Sequence, residues 1–255
     1  MRKCIFCDEE NEAKAREHIV SESLGNKRYI IEKSAVCDKC NAKFSKFEQV
    51  ALGNSIFVMS RAIQGIASKK GKTAKGRVGD LEIQGDDKFT KKHVVIKGLD
   101  KVPLQNFDPI TRIGDLTIKT FDKSESAAAK LLLKTGIAGL YKSHPKVFNS
   151  YDFSQAKDFL SGKNNKDWPI ITSDFEIGTF RSVPQLEDKY SLSHIDCKLT
   201  FLELDLDTLL FKFKYGGIPM MLNLVDRDIW WIRDVIANDP KAVIYPEHYR
   251  KKVTT

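Results

Sequence analysis

Two Cys-x-x-Cys pairs, Cys4/Cys7 and Cys37/Cys40, constrain this chain more than any other feature. They hold four of its five cysteines, and Cys197 stands alone. A segment of about fifty residues buries too little apolar surface to fold unaided. Four thiolates at tetrahedral spacing supply the missing cross-link as a closed structural Zn²⁺ site. Metal binding then contributes folding free energy of order 10 kcal/mol in small zinc modules. Free or disulfide-bonded thiols are the alternative, and paired knuckles in a reducing compartment favour the metal.

A closed four-cysteine site has no open coordination position, so any chemistry comes from residues the metal holds in place. Glu17 and His18 lie between the knuckles, and Asn41 follows the last cysteine directly. A carboxylate and an amide oxygen are hard ligands, suited to Mg²⁺ or Mn²⁺ rather than to a second zinc. A neutral imidazole beside them suits a general base that activates water near pH 7. Taken singly, Glu17-His18 reads as a surface dipeptide and Asn41 as a helix cap. Flanked by both knuckles, the catalytic reading is preferred.

The series Cys4-x-x-Cys7, Arg16-Glu17-His18-Ile19, Ser23-Leu24-Gly25 and Cys37-x-x-Cys40-Asn41 resembles the HNH endonucleases of the ββα-metal (His-Me finger) superfamily. The likeness is to the branch in which two C-x-x-C knuckles hold a structural zinc. It implies that Glu17 and Asn41 coordinate one catalytic Mg²⁺ or Mn²⁺, and that His18 deprotonates the attacking water. It also implies DNA as the substrate and products with 5′-phosphate and 3′-hydroxyl ends. Restriction or anti-phage defence is the setting the likeness suggests. Two departures stand out: the acid is Glu rather than the more usual Asp, and no middle Asn that orients the histidine is evident, Asn26 being a weak candidate. The competing class is a non-catalytic zinc module that binds nucleic acid and tethers a regulatory domain.

Charge agrees with a polyanionic partner: 42 Lys+Arg against 34 Asp+Glu leave a net +8. Arg16, Lys43 and Lys46 are candidate phosphate contacts, as are Lys69, Lys70 and Lys72 of a stretch without acidic residues, 68–79. That stretch reads as a basic linker between a module at 1–67 and an α+β domain at 80–255 with a recognition or regulatory role, open to an activating ligand or partner. The overall expectation is α+β, a small zinc-stabilised ββα-metal module followed by a larger domain with antiparallel strands. A double-strand break by a single-metal nuclease needs two sites, which makes a homodimer the expected assembly. The longest strongly apolar runs, Ile56–Met59 and Ile229–Ile232, fall far short of the ~20 residues of a membrane span. No secretory signal is read at the start, so a cytoplasmic protein is expected.

Periodicity predicts a helix from about Asn41, through Phe44, Phe47 and Val50, ending near Gly53-Asn54, and a second with Ile56, Met59, Ile63 and Ile66 on one stripe. Strands are expected at Leu81–Ile83, His93–Ile96, Leu116–Ile118, Leu202–Leu206 and Phe211–Tyr215. The last should turn at Gly216-Gly217 into Met220–Val225. A helix is expected at Ser126–Tyr141, and another capped by Asp226 and stopped by Pro240. Glu203, Asp205 and Asp207 read as the wet face of a strand, and Trp230-Trp231 as core. His194-x-x-Cys197 has metal-like spacing but no second pair, so a buried thiol beside an ordinary histidine is preferred.

Overall fold

The computed structural model describes residues 2–11, 13–14, 16–68 and 70–254. The chain opens with a two-stranded antiparallel ribbon, β1 (Arg2–Lys3) and β2 (Glu10–Asn11), around the first knuckle. Helices α1 (Asp38–Ala51) and α2 (Ser55–Ile63) follow. An antiparallel sheet comes next, of β3 (Lys75–Val78), β4 (Leu81–Gly85) and β5 (Val94–Lys97), then a ribbon of β6 (Gln105–Asp108) and β7 (Ile113–Asp115). Three helices continue the chain, α3 (Glu125–Ser143), α4 (Pro145–Ser150) and α5 (Ser154–Ser161). After them run β8 (Ile170–Thr172), β9 (Arg181–Ser182), α6 (Leu186–Leu192), β10 (Cys197–Glu203), β11 (Leu209–Tyr215) and β12 (Ile218–Asn223). The chain finishes with α7 (Trp230–Asn238), β13 (Val243–Tyr245) and α8 (His248–Thr254). This is the expected α+β class, with antiparallel sheets.

The long sheet has the order β13-β8-β12-β11-β10-β9 and is antiparallel throughout. Both of its faces are covered, and its side chains alternate between two cores. Phe211, Phe213, Met220 and Leu222 point into the main core, while Leu210, Met221 and Ile244 pack with Trp231, Ile232 and Tyr249 of α7 and α8. The hairpin between β11 and β12 turns at Gly216-Gly217, both at positive φ, as the sequence predicts. Lys212 is not on a wet face: it is buried, with its ammonium 2.9 Å from Glu176 Oε1 and over the Phe180 ring.

Helix α3 is the spine. From Ala127 to Leu140 all but one of its residues are buried, because the N-terminal module covers one side and the sheet the other. Gly136 and Gly139 allow that closeness. A Cβ at Gly136 would lie 2.7 Å from Leu224 and 2.9 Å from Phe211, and one at Gly139 would lie 2.7 Å from Val183. The main core therefore runs unbroken from Cys4 to Tyr245, across the boundary expected near residue 68. A smaller core joins α2 to the β3–β5 sheet through Val58, Ala62, Val78, Leu81 and Ile83.

Several local expectations shift. The stretch 68–79 is only in part a connector, since Lys75–Val78 is paired along β4. Leu116–Ile118 is not a strand; the ribbon strand ends at Asp115. The Leu202–Leu206 alternation is displaced: β10 ends at Glu203, and Asp205 and Asp207 lie in the following turn. Asp226 does not cap α7, because its carboxylate accepts from Asn223 Nδ2 and the Asp228 amide. No helix among the described residues is long and apolar enough to cross a membrane.

Candidate metal centre and active site

The knuckles converge. The sulfurs of Cys4, Cys7, Cys37 and Cys40 all lie within 4.8 Å of one another, and the Cys7 and Cys37 sulfurs are 3.7 Å apart. A tetrahedral Zn²⁺ with Zn–S bonds of ~2.3 Å requires sulfur–sulfur edges of about 3.8 Å, so the donor set fits structural zinc. Backbone amides already point at the sulfurs: the Cys37 amide donates to Cys4 Sγ (3.4 Å) and the Cys40 amide to Cys37 Sγ (3.3 Å). Cys37 is thereby the N-cap of α1, which begins three residues before the expected Asn41. Asp8 closes the first knuckle at positive φ, with its amide bonded to the Cys4 carbonyl. Without a cation the thiols cannot all ionise. A hydrogen bond with Cys40 holds Cys4 down to about 4, burial pushes Cys7 up to about 11, and the Cys4 contact drives Cys40 higher still. A divalent cation removes that conflict by accepting all four as thiolates.

Between the knuckles the chain doubles back. His18 bridges Ile30, the Ile19 amide donates to Tyr29 O, and the Ile31 amide donates to Glu17 O. The intervening loop is pinned by Asn26, which is fully buried. Its Nδ2 donates to Val20 O (2.6 Å) and Tyr29 O (2.8 Å), and its Oδ1 accepts from the Arg28 and Tyr29 amides. Gly25, at φ 95°, permits the tight approach of Ile66 and Ile195. Asn26 thus shapes the backbone that presents His18, and its side chain bonds backbone atoms rather than the imidazole.

Glu17 is buried, and Lys134 of α3 pairs with its Oε1. The Lys134 ammonium is completely buried and also donates to Glu48 Oε1 of α1 (2.8 Å) and to the His18 carbonyl (2.7 Å). Burial presses its pKa down, but the charges of Glu48 and Glu17 outweigh this and hold it above the ordinary lysine value. One ammonium against two carboxylates leaves the cluster short of one positive charge. No described donor pairs with the second Glu17 oxygen, and none bonds the half-buried His18 imidazole. Asn41 is half-buried on α1, its side-chain amide without a partner among the described residues, and lies seven residues before Glu48, close to two helical turns and so on the same helix face. The structure thus joins Glu17 and His18 to α1 through Lys134 and Glu48. Asn41 shares that helix face, with no hydrogen bond to either residue among those described. One carboxylate oxygen and one amide oxygen are a hard donor set that suits Mg²⁺ or Mn²⁺.

The expected cations are dispersed. Arg16, Lys46, Lys70 and Lys72 are exposed, Lys43 donates to the Ser161 carbonyl (3.4 Å), and Lys69 lies outside the described residues. Glu48, Lys134 and the role of Asn26 escaped sequence reasoning. Two signals existed: Glu48 falls at helical spacing from Asn41, and Lys134 is a charge inside the run Leu131–Leu140. Cys197 is half-buried, its thiol pushed up by desolvation, and His194 Nε2 lies 2.8 Å from the Gly25 carbonyl. Among the described residues no second group of His, Cys, Asp or Glu converges as a metal site.

Residues 4–57 match the family model described as HNH endonuclease. No curated protein and no solved structure matches the chain. The matched stretch spans both knuckles, Glu17, His18, Asn26, Asn41 and Glu48, but not Lys134. Residues 4–57 are thus similar to an HNH endonuclease module, and they carry a four-cysteine cluster that fits zinc.

Proposed function

We propose that the protein is a metal-dependent endonuclease that hydrolyses DNA phosphodiester bonds. The observation that carries this reading is His18, an imidazole without a hydrogen-bond partner among the described residues, next to a buried carboxylate within the matched stretch. His18 takes the proton of a water as its oxygen attacks phosphorus; the P–O3′ bond breaks, and the leaving oxygen is protonated to a 3′-hydroxyl. Glu17 and Asn41 would hold one Mg²⁺ or Mn²⁺, which supplies charge stabilisation at the phosphate. Lys134 pairs with Glu17 and anchors the His18 backbone through its carbonyl. Arg16, Lys43, Lys46, Lys69, Lys70 and Lys72 add positive charge around the module. Residues 80–255 take a recognition or regulatory role and answer to an activating ligand or partner. A cytoplasmic homodimer acting in restriction or phage defence completes the reading.

One observation favours a second reading, a zinc module that binds nucleic acid without cutting it: Lys134 already neutralises Glu17. The two separate on one experiment. Zinc-retaining protein is incubated with supercoiled plasmid, linear duplex and RNA, with Mg²⁺, Mn²⁺ or neither, and with His18→Ala in parallel. Metal-dependent nicking or linearisation that His18→Ala loses supports the nuclease. Binding by both proteins with cutting by neither supports the second reading. Cutting by His18→Ala at the parent rate removes the assigned base.

A further inference from the structure

A cleft of about 720 Å³ opens between α1, α2 and β3. Its wall includes Ser21 and Ser23, three and five residues beyond His18, and Glu48, the partner of Lys134. It therefore begins at the Glu17–Lys134–Glu48 cluster. Its cations are Arg61, Lys75, Arg77 and Lys123, against Glu48 as the acid. Three of those five charges are already compensated inside the protein: Lys75 by Glu82 at 2.9 Å, Lys123 by Asp122 at 3.1 Å, and Glu48 by Lys134. Arg61 and Arg77 are not. No carboxylate of a described residue pairs with either, and the Nε of Arg61 is buried with no hydrogen-bond partner among the described residues.

A guanidinium on the wall of an open cleft with no carboxylate beside it is a cation left for an anionic ligand. A guanidinium matches a phosphate oxygen pair in both charge and fork geometry. Gly76 keeps β3 close, since a Cβ there would lie 2.7 Å from Val58, so Arg77 and Lys75 are carried to the cleft rim beside Arg61. We propose that this cleft seats the phosphodiester backbone of DNA, with Arg61 and Arg77 as its phosphate contacts, and leads the strand to His18. The seat is built by α2 and β3, mostly beyond the matched stretch 4–57. This deepens the nuclease reading and rests on it for the purpose of the bound strand, whereas binding is measurable apart from cutting.

The test uses the full zinc-retaining chain carrying His18→Ala, without added divalent metal, and a labelled DNA duplex whose anisotropy is followed from about 50 to 200 mM salt. Arg61→Gln and Arg77→Gln should each flatten the slope of log K against log salt by about one, and the pair by about two. Lys166→Gln and Arg233→Gln, exposed cations outside the cleft, should leave slope and Kd unchanged. Arg77 is exposed on β3 and its removal does not threaten the fold, so it carries the test should Arg61→Gln misfold. An unchanged slope in Arg77→Gln, an equal loss in the two control variants, or a parent that binds no DNA at low salt would each overturn the cleft. A parent that binds through the cleft, while the His18-bearing chain cuts nothing with Mg²⁺ or Mn²⁺, overturns the nuclease reading and leaves the cleft standing.

Discussion

Lys134 carries more consequence than any other single residue. Its ammonium has three acceptors and no exposure to solvent, so removing it strands the buried Glu17 carboxylate and the part-buried Glu48 carboxylate. Breaking a buried pair from one side typically costs ~3–5 kcal/mol. Lys134→Met should therefore lower the denaturation midpoint sharply, and Lys134→Met/Glu48→Gln should recover part of the loss by removing one stranded charge. Equal midpoints for the two variants would show that Glu48 is not part of the cluster. Lys134 also sets a pH response, together with Tyr29 and Tyr215, whose hydroxyls burial pushes above the ordinary tyrosine value. In all three the folded pKa is raised, so the unfolded chain releases its protons first as pH climbs. Their stabilisation is complete below the unfolded values of about 10 and is lost above them. Urea midpoints should thus hold to about pH 9 and fall steeply beyond pH 10.

At the scale of elements, α3 inverts an ordinary helix rule. Alanine in place of a mid-helix glycine usually stabilises by up to ~1 kcal/mol. Here the added methyl at Gly136 would meet Leu224 and Phe211 well inside contact distance, and the sheet cannot withdraw without opening the core. Gly136→Ala should be destabilising by ~1–3 kcal/mol, as overpacked cores are, and a thermal melt decides the sign. The two knuckles behave alike as an element. Cys37 belongs to the four-cysteine cluster that fits zinc and is also the N-cap of α1, so Cys37→Ser should lose zinc and fray the helix start together, seen as one zinc fewer by metal analysis and lower helicity.

Across the whole molecule the N-terminal module and the sheet share one core through α3. Side-chain bonds reinforce the union: Lys157 to Asp8 at 2.9 Å, Tyr215 to the Leu24 carbonyl at 3.2 Å, and Tyr29 to Ser143 at 3.0 Å. Calorimetry should therefore record a single transition rather than two, and stripping the zinc should shift all of it. A stable, independently melting fragment of residues 1–67 would contradict that union.

The sequence by itself determined the zinc knuckles, the HNH likeness and the elements with strong local signals. Cys-x-x-Cys spacing, a Gly-Gly turn and an Ala/Leu-rich helix are written in neighbouring residues, where short-range geometry decides. It also put Glu17, His18 and Asn41 in sight, because motif order survives without coordinates. Only the tertiary structure decided that Glu17 faces an ammonium 117 positions away in the chain, that Lys212 is buried, and that Arg61 Nε meets no acceptor among the described residues. It also decided that residues beyond 80 share the module's core. Those outcomes depend on which faces of distant elements meet. Burial and charge pairing across such contacts leave no periodic trace in the local sequence.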